Sequence, residues 1–520
     1  MQKIFVIQSP TAMDKFLDLK QKLAIVHDLQ MAAYVLSWDQ ETYMPPGGAE
    51  ARAQQLGTLF SLAHEKFTTD EIGHLLDDVK EYEASLPYDS DDASLIRVAR
   101  REYLKKTRVP SEFVARQTET QALSYNTWVK ARPQSDFHAV LPWLEKILDL
   151  SREYSSFFPN GSANDVNSPH HIADALIDLG DPQMSAADIR RVFGELREQL
   201  RPIVRAITSQ PPADDSCIRQ FFPEAQQLKF ALDVAQQLGY DLTRGRQDKT
   251  AHPFMTHFSI GDVRITTRVK EYDWSEAFFS TIHEAGHAMY GQGHARALER
   301  TMLAEGTSSG VHESQSRLWE NLVARSKNFW EYFYPKLQAA FPSQFQNVSL
   351  DTFYRAVNKV EPSLIRTDAD EVTYNLHVMM RFEFELQMLE GKLAIRDLPD
   401  AWDETITRDV GATPPNLSQG VMQDVHWYGG QIGGAFQGYT LGNILSAQFF
   451  DAALRAHPNI PEQIRRGEFS TLRGWLQQNI YAHGAKFLPN EIIQRATGEG
   501  LNIQPYIAYL HGKYGELYEL

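Results

Sequence analysis

Residues 281–290 constrain the fold of this chain more than any other segment, because they contain the pattern His283-Glu-Ala-Gly-His287. On a helix, residues four apart lie on one face with Cβ atoms about 5–6 Å apart. Both imidazoles can then bind one Zn²⁺. Glu284 lies about 100° round the helix, where it can act as general base on a water held at the metal. The pattern therefore predicts a helix that carries a hydrolytic metal site.

The flanking residues also favour a helix. The segment 273–276 (DWSE) has the form of a capping box, and Gly291 and Gly293 are typical of a helix end. Gly286 costs about 1 kcal/mol relative to Ala inside a helix. A close approach of a second helix would explain that glycine.

Helical periodicity dominates the rest of the chain. It predicts helices at 11–35, 49–64, 70–84, 91–107, 110–130 and 138–156, and more helices after the motif. Pro- and Gly-rich segments predict loops at 36–48, 158–165 and 209–216. Residues 258–269 alternate and are β-branched, which predicts a hairpin with Gly261-Asp262 as its turn. We therefore expect a mainly α fold with a small sheet beside the motif helix, where a strand edge suits an extended peptide.

Composition excludes several classes of protein. The chain has 51 basic and 67 acidic residues, a net charge of −16, which argues against general affinity for nucleic acid or an anionic membrane. No apolar run is long enough to span a membrane, and the apolar run at the N-terminus is too short for a signal peptide. The single cysteine, Cys217, fits a reducing compartment, and its acidic neighbours predict an inert thiol. We expect a cytoplasmic protein.

A catalytic zinc usually has three protein ligands. The extended pattern H-E-x-x-H-x-x-G-x-x-H would place the third at position 293, which is Gly293. Downstream, a predicted loop and helix offer His312 and Glu313. Adjacent helical residues diverge by about 100°, so only one of them is expected at the metal, and spacing alone leaves both open.

Several short segments together resemble the motifs of the carboxypeptidase Taq family, peptidase family M32. They occur in the family's order at 38–40 (WDQ) with 44–48 (MPPGG), 252–254 (HPF), 262–266 (DVRIT), 283–287 (HEAGH), 312–315 (HESQ), 365–370 (IRTDAD) and 420–427 (GVMQDVHW). Each segment is weakly specific alone, but their ordered occurrence is highly specific.

The resemblance implies a metal-dependent carboxypeptidase of broad specificity that acts on peptides with a free C-terminus. It implies a mostly helical fold with a deep substrate groove, one catalytic unit over residues 10–515, and a homodimer. Within that unit we expect a helical part at about 10–250 and a zinc-site part at about 251–515. Glu313 is implied as third ligand and Glu284 as general base. Zn²⁺ is the expected ion, and Co²⁺ suits the same ligands.

Further residues acquire roles from the resemblance. His426 and Tyr439 are expected to stabilise the oxyanion. Arg366 is expected to bind the terminal carboxylate, because a guanidinium makes two parallel charge-assisted bonds. Arg264 is expected either to contact substrate or to pair with an acid such as Asp262. His252 is either a substrate contact or a structural anchor.

The sequence leaves open which carboxylate orients the zinc histidines. Thermolysin-like enzymes place an aspartate four residues after the glutamate ligand, and this chain has Arg317 there. A carboxylate from elsewhere should then orient a histidine, and we consider Asp368, Asp370 and Asp424. Two rival functions remain: an endo- or oligopeptidase with the same zinc site, and a peptide-binding protein without catalysis.

Overall fold

The computed structural model describes residues 11–159 and 170–520. Over these residues the protein is mostly helical with one three-stranded sheet, so the predicted fold class is confirmed. The helices before the sheet are α1 (Ala12–Thr42), α2 (Ala49–Phe67), α3 (Asp70–Asp78), α4 (Lys80–Ser85), α5 (Asp91–Arg108), α6 (Ser111–Ala131), α7 (Phe137–Ser156), α8 (Asp174–Ile177), α9 (Ala186–Thr208) and α10 (Glu224–Leu238).

A second set of helices follows the sheet and runs to the C-terminus. These are α11 (Trp274–Gly293), α12 (Ser309–Arg317), α13 (Lys327–Ala340), α14 (Pro342–Phe345), α15 (Leu350–Val357), α16 (Tyr374–Leu389), α17 (Leu398–Asp409), α18 (His426–Gly429), α19 (Gln437–Ala456), α20 (Ile460–Arg465), α21 (Ser470–Asn479), α22 (Pro489–Thr497) and α23 (Gln504–Tyr518). A π-helix, Leu318–Ala324, continues directly from α12.

The prediction for the first helix was wrong at its C-terminal end. Residues 36–42, expected in a loop, continue α1, and the helix stops only before Pro45. The reason is the burial of Trp38, which is 7% exposed and stabilises the last turns by packing. The predicted helix at 70–84 is two helices that meet at Val79. The loop predicted at 209–216 is confirmed up to Asp215, and Ser216 begins a short 3₁₀ helix. Most of the loop predicted at 158–165 lies outside the described residues.

The sheet contains β1 (Gln247–Lys249), β2 (Met255–Ser259) and β3 (Asp262–Thr267) in the order β1-β3-β2. Strands β2 and β3 are antiparallel, which confirms a hairpin, but its turn is at 260–261 and not at 261–262. Strand β1, parallel to β3, was not predicted because three residues carry no readable alternation.

One face of the sheet packs on α11. Val263 and Ile265 of β3 are fully buried, and a Cβ built at Gly291 of α11 would lie 3.4 Å from Val263 Cγ1. Strand β2 is an edge strand of this sheet. The motif helix is thereby fixed beside a strand edge, as expected.

Buried apolar side chains form two clusters among the described residues. The smaller takes most of its members from α1 to α5 and adds four from the segment around the sheet and α11, including Ile260 and Leu303. The larger extends from Phe113 to Tyr518 and includes the motif helix. The single catalytic unit over residues 10–515, with a helical part and a zinc-site part that meet near residue 250, stays a prediction. The deep substrate groove also stays a prediction.

A helix that spans a bilayer must be long and predominantly apolar. Across 11–159 and 170–520, each helix is either too short or too polar to cross a membrane.

Candidate metal centre and active site

The motif helix α11 begins at a side-chain cap. The carboxylate of Asp273 accepts a hydrogen bond from the Ser275 N–H at 3.1 Å. The predicted capping box is only half present, because Glu276 pairs with Arg268 and Lys270 instead of returning to the cap. The helix ends at Gly293 as predicted.

Two glycines bring α12 and α19 close to the site. A Cβ at Gly286 of α11 would lie 2.7 Å from the Gln315 carbonyl oxygen, and one at Gly442 of α19 would lie 2.6 Å from the Glu313 Cβ. Real Cβ atoms do not approach so closely, so larger residues would push the helices apart. The predicted close approach at Gly286 is confirmed, and it places Glu313 against the motif histidines.

Three side chains converge as a metal would require. One ligand atom from each of His283, His287 and Glu313 lies within 4.8 Å of the others. Glu313 Oε2 is 3.6 Å from His283 Nε2 and 3.3 Å from His287 Nε2. Two imidazoles and one carboxylate are the donor set of many catalytic zinc sites. Of the two alternatives left open by the sequence, the geometry favours Glu313.

His312 lies behind His287 instead of beside it. The two Nδ1 atoms are 2.6 Å apart, so one nitrogen donates and the other accepts. Burial, together with the nearby His287, keeps the pKa of His312 well below its usual value, and a neutral His312 can accept from the His287 Nδ1–H. The His287 Nε2 lone pair is then free for a metal.

Glu320 holds the other histidine. Its Oε2 accepts from His283 Nδ1 at 2.9 Å, the arrangement that fixes the tautomer of a metal-binding imidazole. Burial opposes ionisation, but Arg317 and the bond to His283 lower the pKa of Glu320 to about 2. Glu320 follows Glu313 by two helical turns, and this spacing was the signal that could have identified it.

The three aspartates considered for this role were the wrong choice. Asp368 is exposed. Asp370 accepts hydrogen bonds from the N–H groups of Val372 and Thr373 ahead of α16, and Asp424 binds arginines. None of them contacts a motif histidine, because each is committed elsewhere or faces solvent.

Arg317 neutralises the carboxylates around the centre. It donates to Glu313 Oε1 at 2.7 Å and to Glu320 Oε2 at 3.3 Å. An arginine thus stands where thermolysin-like enzymes carry an aspartate, and it fixes the orientation of the third candidate ligand.

Glu284 is adjacent to this cluster and nearly excluded from water. It is 6% exposed, and burial raises its pKa above the usual value, although His283 and His287 act against the rise. A carboxylate with a raised pKa is suited to take up and release a proton near neutral pH.

Arg366 belongs to a buried arginine pair that shares one carboxylate. Its Nε and Nη2 donate to Asp424 Oδ1 at 3.1 and 2.8 Å, and Arg381 Nε donates to Asp424 Oδ2 at 2.6 Å. Arg366 Nη1 donates to the Tyr374 hydroxyl at 3.0 Å. Burial opposes the ionisation of Asp424, but the two guanidinium groups hold its pKa well below the usual range. Arg381 was not predicted from the sequence, because it lies in α16, outside all the motifs.

His426 and Tyr439 are brought together. His426 Nε2 and the Tyr439 hydroxyl are 3.1 Å apart. Burial, with Arg366 nearby, lowers the pKa of His426 to about 4, so the ring is neutral at pH 7. Tyr439 lies one helical turn before Gly442, the residue against Glu313, on the same side of α19.

Arg264 and His252 occupy different surroundings. Arg264 makes two bonds to Asp262, of 2.8 and 2.7 Å, and its guanidinium lies 4.3 Å from the Trp38 ring centre. This geometry favours the structural alternative for Arg264. His252 is exposed, just before β2. Cys217 is buried, and burial with nearby Asp214 raises its pKa to about 11, in agreement with an inert thiol.

Comparison with known proteins decides the family. Residues 18–514 match the family model described as carboxypeptidase Taq (M32) metallopeptidase. This chain belongs to the M32 metallopeptidase family. Like its relatives, this M32 protein is a metallocarboxypeptidase.

The match to individual relatives extends over nearly the whole chain. Thermostable carboxypeptidase 1 of Thermus thermophilus is 39% identical over 98% of this chain and 99% of its own length. Carboxypeptidase 1 of Bacillus subtilis is 36% identical over 97% and 98%. The crystal structure of the M32 carboxypeptidase from Deinococcus radiodurans R1 has a TM-score of 0.93 at 45% identity and covers 97% of this chain and 100% of that chain.

Proposed function

We propose that this enzyme removes C-terminal amino acids from peptides of varied sequence, with Zn²⁺ held by His283, His287 and Glu313. The observation that carries the proposal is the convergence of these three side chains next to a buried Glu284. A divalent ion there would supply positive charge that polarises the peptide carbonyl and makes a water more acidic. Zn²⁺ suits the donor set, and Co²⁺ would fit the same atoms.

Glu284 is the proposed general base. It takes a proton from the attacking water and delivers it to the nitrogen of the leaving amino acid. Its burial favours the first transfer, since a carboxylate of raised pKa is a stronger base, and the second transfer follows because the leaving amine is more basic than the carboxylate. His426 and Tyr439 are proposed to donate hydrogen bonds to the oxygen that becomes negative.

Arg366 is the proposed site for the terminal carboxylate. A guanidinium has five N–H groups; in this protein two donate to Asp424 and one to Tyr374. The two remaining N–H groups, one on Nη1 and one on Nη2, can donate hydrogen bonds to the terminal carboxylate of a peptide. Asp424 and Arg381 then act as supports that fix the plane of Arg366. His252 is proposed as an outer part of the same binding region, and Arg264, which pairs with Asp262, is proposed as a structural residue.

The exopeptidase claim is tested by comparing a peptide with a free C-terminus and the same peptide as its C-terminal amide. The free acid should be hydrolysed about 100-fold faster or more, since a lost charge-assisted pair costs a few kcal/mol. Equal rates would favour the endo- or oligopeptidase alternative. A mixed peptide pool analysed by mass spectrometry would show whether specificity is broad.

The base is tested by Glu284→Gln, which keeps the side-chain shape. Turnover should fall by at least about 10²–10⁴-fold, while zinc content stays at the wild-type level. Wild-type turnover in this variant would remove Glu284 from the mechanism.

Quaternary structure and location are further parts of the proposal. We propose a homodimer in the cytoplasm, on the strength of the family resemblance and the single cysteine. Sedimentation analysis should give a dimer mass at micromolar concentration, and a monomer mass would contradict this.

A further inference from the structure

Asp181 is a fully buried carboxylate outside all the motifs discussed so far. It lies four residues after α8 and is 0% exposed. Its Oδ1 accepts from the Gly310 N–H of α12 at 2.8 Å, and its Oδ2 accepts from the Gln437 side-chain amide of α19 at 3.0 Å. One carboxylate therefore binds two helices that are far apart in sequence.

These two helices carry important side chains of the proposed site. Helix α12 carries Glu313 and α19 carries Tyr439. Gly310 lies one turn before Glu313, and Gln437 lies two residues before Tyr439. A displacement at either contact with Asp181 is transmitted along a short stretch of rigid helix.

The α12–α19 contact is closely packed where Asp181 joins it. A Cβ at Gly310 would lie 3.0 Å from Leu441 Cβ, and one at Gly438 would lie 2.9 Å from Ser309 Cβ. The Ser309 N–H also donates to the Gly180 carbonyl at 2.8 Å. Since the helices touch through backbone and small residues, side chains cannot absorb a shift, and the anchor determines their relative position.

We propose that Asp181 is a positioning residue that sets Glu313 and Tyr439 relative to each other, and so tunes metal affinity and turnover. One carboxylate oxygen of Asp181 accepts from the Gly310 N–H in the first turn of α12, where the helix dipole favours a negatively polarised group. Misplacement of a reacting group by about 1 Å can cost about 100-fold in rate. The proposal rests on the proposed zinc site.

The chain offers a matched control in Asp178. This carboxylate is 3% exposed, pairs with Lys105 Nζ at 2.5 Å, and accepts from the Gln183 N–H at 2.7 Å. It is as deeply buried as Asp181 and three residues away, but its partners are not on α12 or α19. Loss of Asp178 should lower stability without moving the site.

The test compares Asp181→Ala, Asp181→Asn, Gln437→Met and Asp178→Asn in the full-length enzyme. Zinc dissociation constants are measured by chelator competition, and kcat and KM on a chromogenic peptide at saturating zinc. Asp181→Ala should weaken zinc at least tenfold and lower kcat at least tenfold, with a smaller change in KM. Asp181→Asn should recover part of both, because its amide oxygen still accepts from Gly310. Gln437→Met should give a smaller loss than Asp181→Ala.

The control decides between positioning and general stability. Asp178→Asn should lower the melting temperature but leave zinc affinity and kcat within twofold. Wild-type zinc affinity and kcat in Asp181→Asn, or equal losses in Asp178→Asn, would overturn the proposal. Should Asp181→Ala not fold, the Asn and Gln437 variants still decide. If His283→Ala binds zinc as tightly as the wild type, the zinc site itself is wrong, which is a separate failure.

Discussion

The middle and the C-terminal end of the motif helix carry histidines in contrasting surroundings. In its middle, His283 and His287 face Glu313, and each offers Nε2 while its Nδ1 has a partner. At its C-terminal end, His294 lies in a second group with His27 of α1 and His257 of β2, near Glu305. We call this second group the rear histidines.

The rear histidines lack the ordering contacts of the first group. Among the described residues, both ring nitrogens of His294 and Nδ1 of His27 are buried without a hydrogen-bond partner. The closest pairing, His257 Nε2 with Glu305 Oε2, is 3.2 Å. Within those same residues, only His283, His287 and Glu313 bring three ligand atoms together. A cluster of histidines is therefore not sufficient for a metal site. The ligand atoms must also converge on one point, and the other nitrogen of each ring must be held by a hydrogen bond.

Removal of a proposed metal ligand should produce the largest difference in zinc binding between the two histidine groups. Glu313→Ala should weaken zinc binding by more than about 100-fold, beyond the 10–100-fold typical of an outer partner. His294→Ala should keep wild-type zinc content. Zinc content is measured by mass spectrometry after dialysis of both variants. An equal loss of zinc in the two variants would contradict the proposed difference between the two histidine groups.

Loss of the carboxylate that orients His283 should have the next largest effect. Glu320→Gln should weaken zinc binding about 10–100-fold, since the amide can present an N–H to Nδ1 and favour the wrong tautomer. Glu305→Gln is the matched control beside the rear histidines and should leave zinc affinity unchanged. Chelator competition measures both, and an unchanged affinity in Glu320→Gln would contradict the assigned role.

His312→Ala should have a smaller effect on zinc. Its bond to His287 joins two neutral rings, and charge-assisted bonds are about twice as strong, so we expect about a tenfold weakening at most. Zinc titration of His312→Ala beside Glu313→Ala gives the ranking. The reverse ranking would transfer the third-ligand role to His312.

A change at the rear histidines should have no effect on zinc binding and should instead appear in stability at mildly acidic pH. Burial, with His257 nearby, lowers the pKa of His294 to about 4, against about 6.5 in an unfolded chain. Between these values the unfolded chain binds a proton that the folded protein does not, so the unfolding free energy falls as pH is lowered from 6.5 to 4, by up to about 3 kcal/mol.

His294→Leu removes that dependence. The unfolding free energy of the variant minus that of the wild type should be about 2 kcal/mol larger at pH 5 than at pH 7. It should also avoid the cost of unpartnered buried nitrogens. Urea unfolding at pH 5 and pH 7 provides the measurement. An identical pH dependence in both proteins would show that His294 is not held neutral.

Sequence reasoning reached the parts of the site that follow local rules. The i and i+4 histidines and the helix end at Gly293 depend on residues near one another in the chain, and the close approach at Gly286 was indicated by a single glycine inside a helix. The choice between His312 and Glu313 could not be made in this way. It depends on how α12 docks against α11 and α19, and spacing carries no information on that docking.

Other misses have the same origin. Glu320 was not predicted because its role depends on a hydrogen bond to His283 of another helix. Its spacing from Glu313 could nevertheless be read from the sequence. Asp424 was considered for the histidines but binds Arg366 and Arg381, a network that only the packing of α16 under residues 420–427 creates. Residues 36–42 were assigned to a loop because nearby Pro and Gly outweighed the burial of Trp38.

The most direct test of the metal site is an anomalous-scattering map at the zinc absorption edge, from crystals of the zinc-loaded enzyme. The account predicts one strong peak per chain, bonded to His283 Nε2, His287 Nε2 and a Glu313 oxygen at about 2.0–2.2 Å. A peak among His27, His257, His294 and Glu305, with none at the motif, would contradict it.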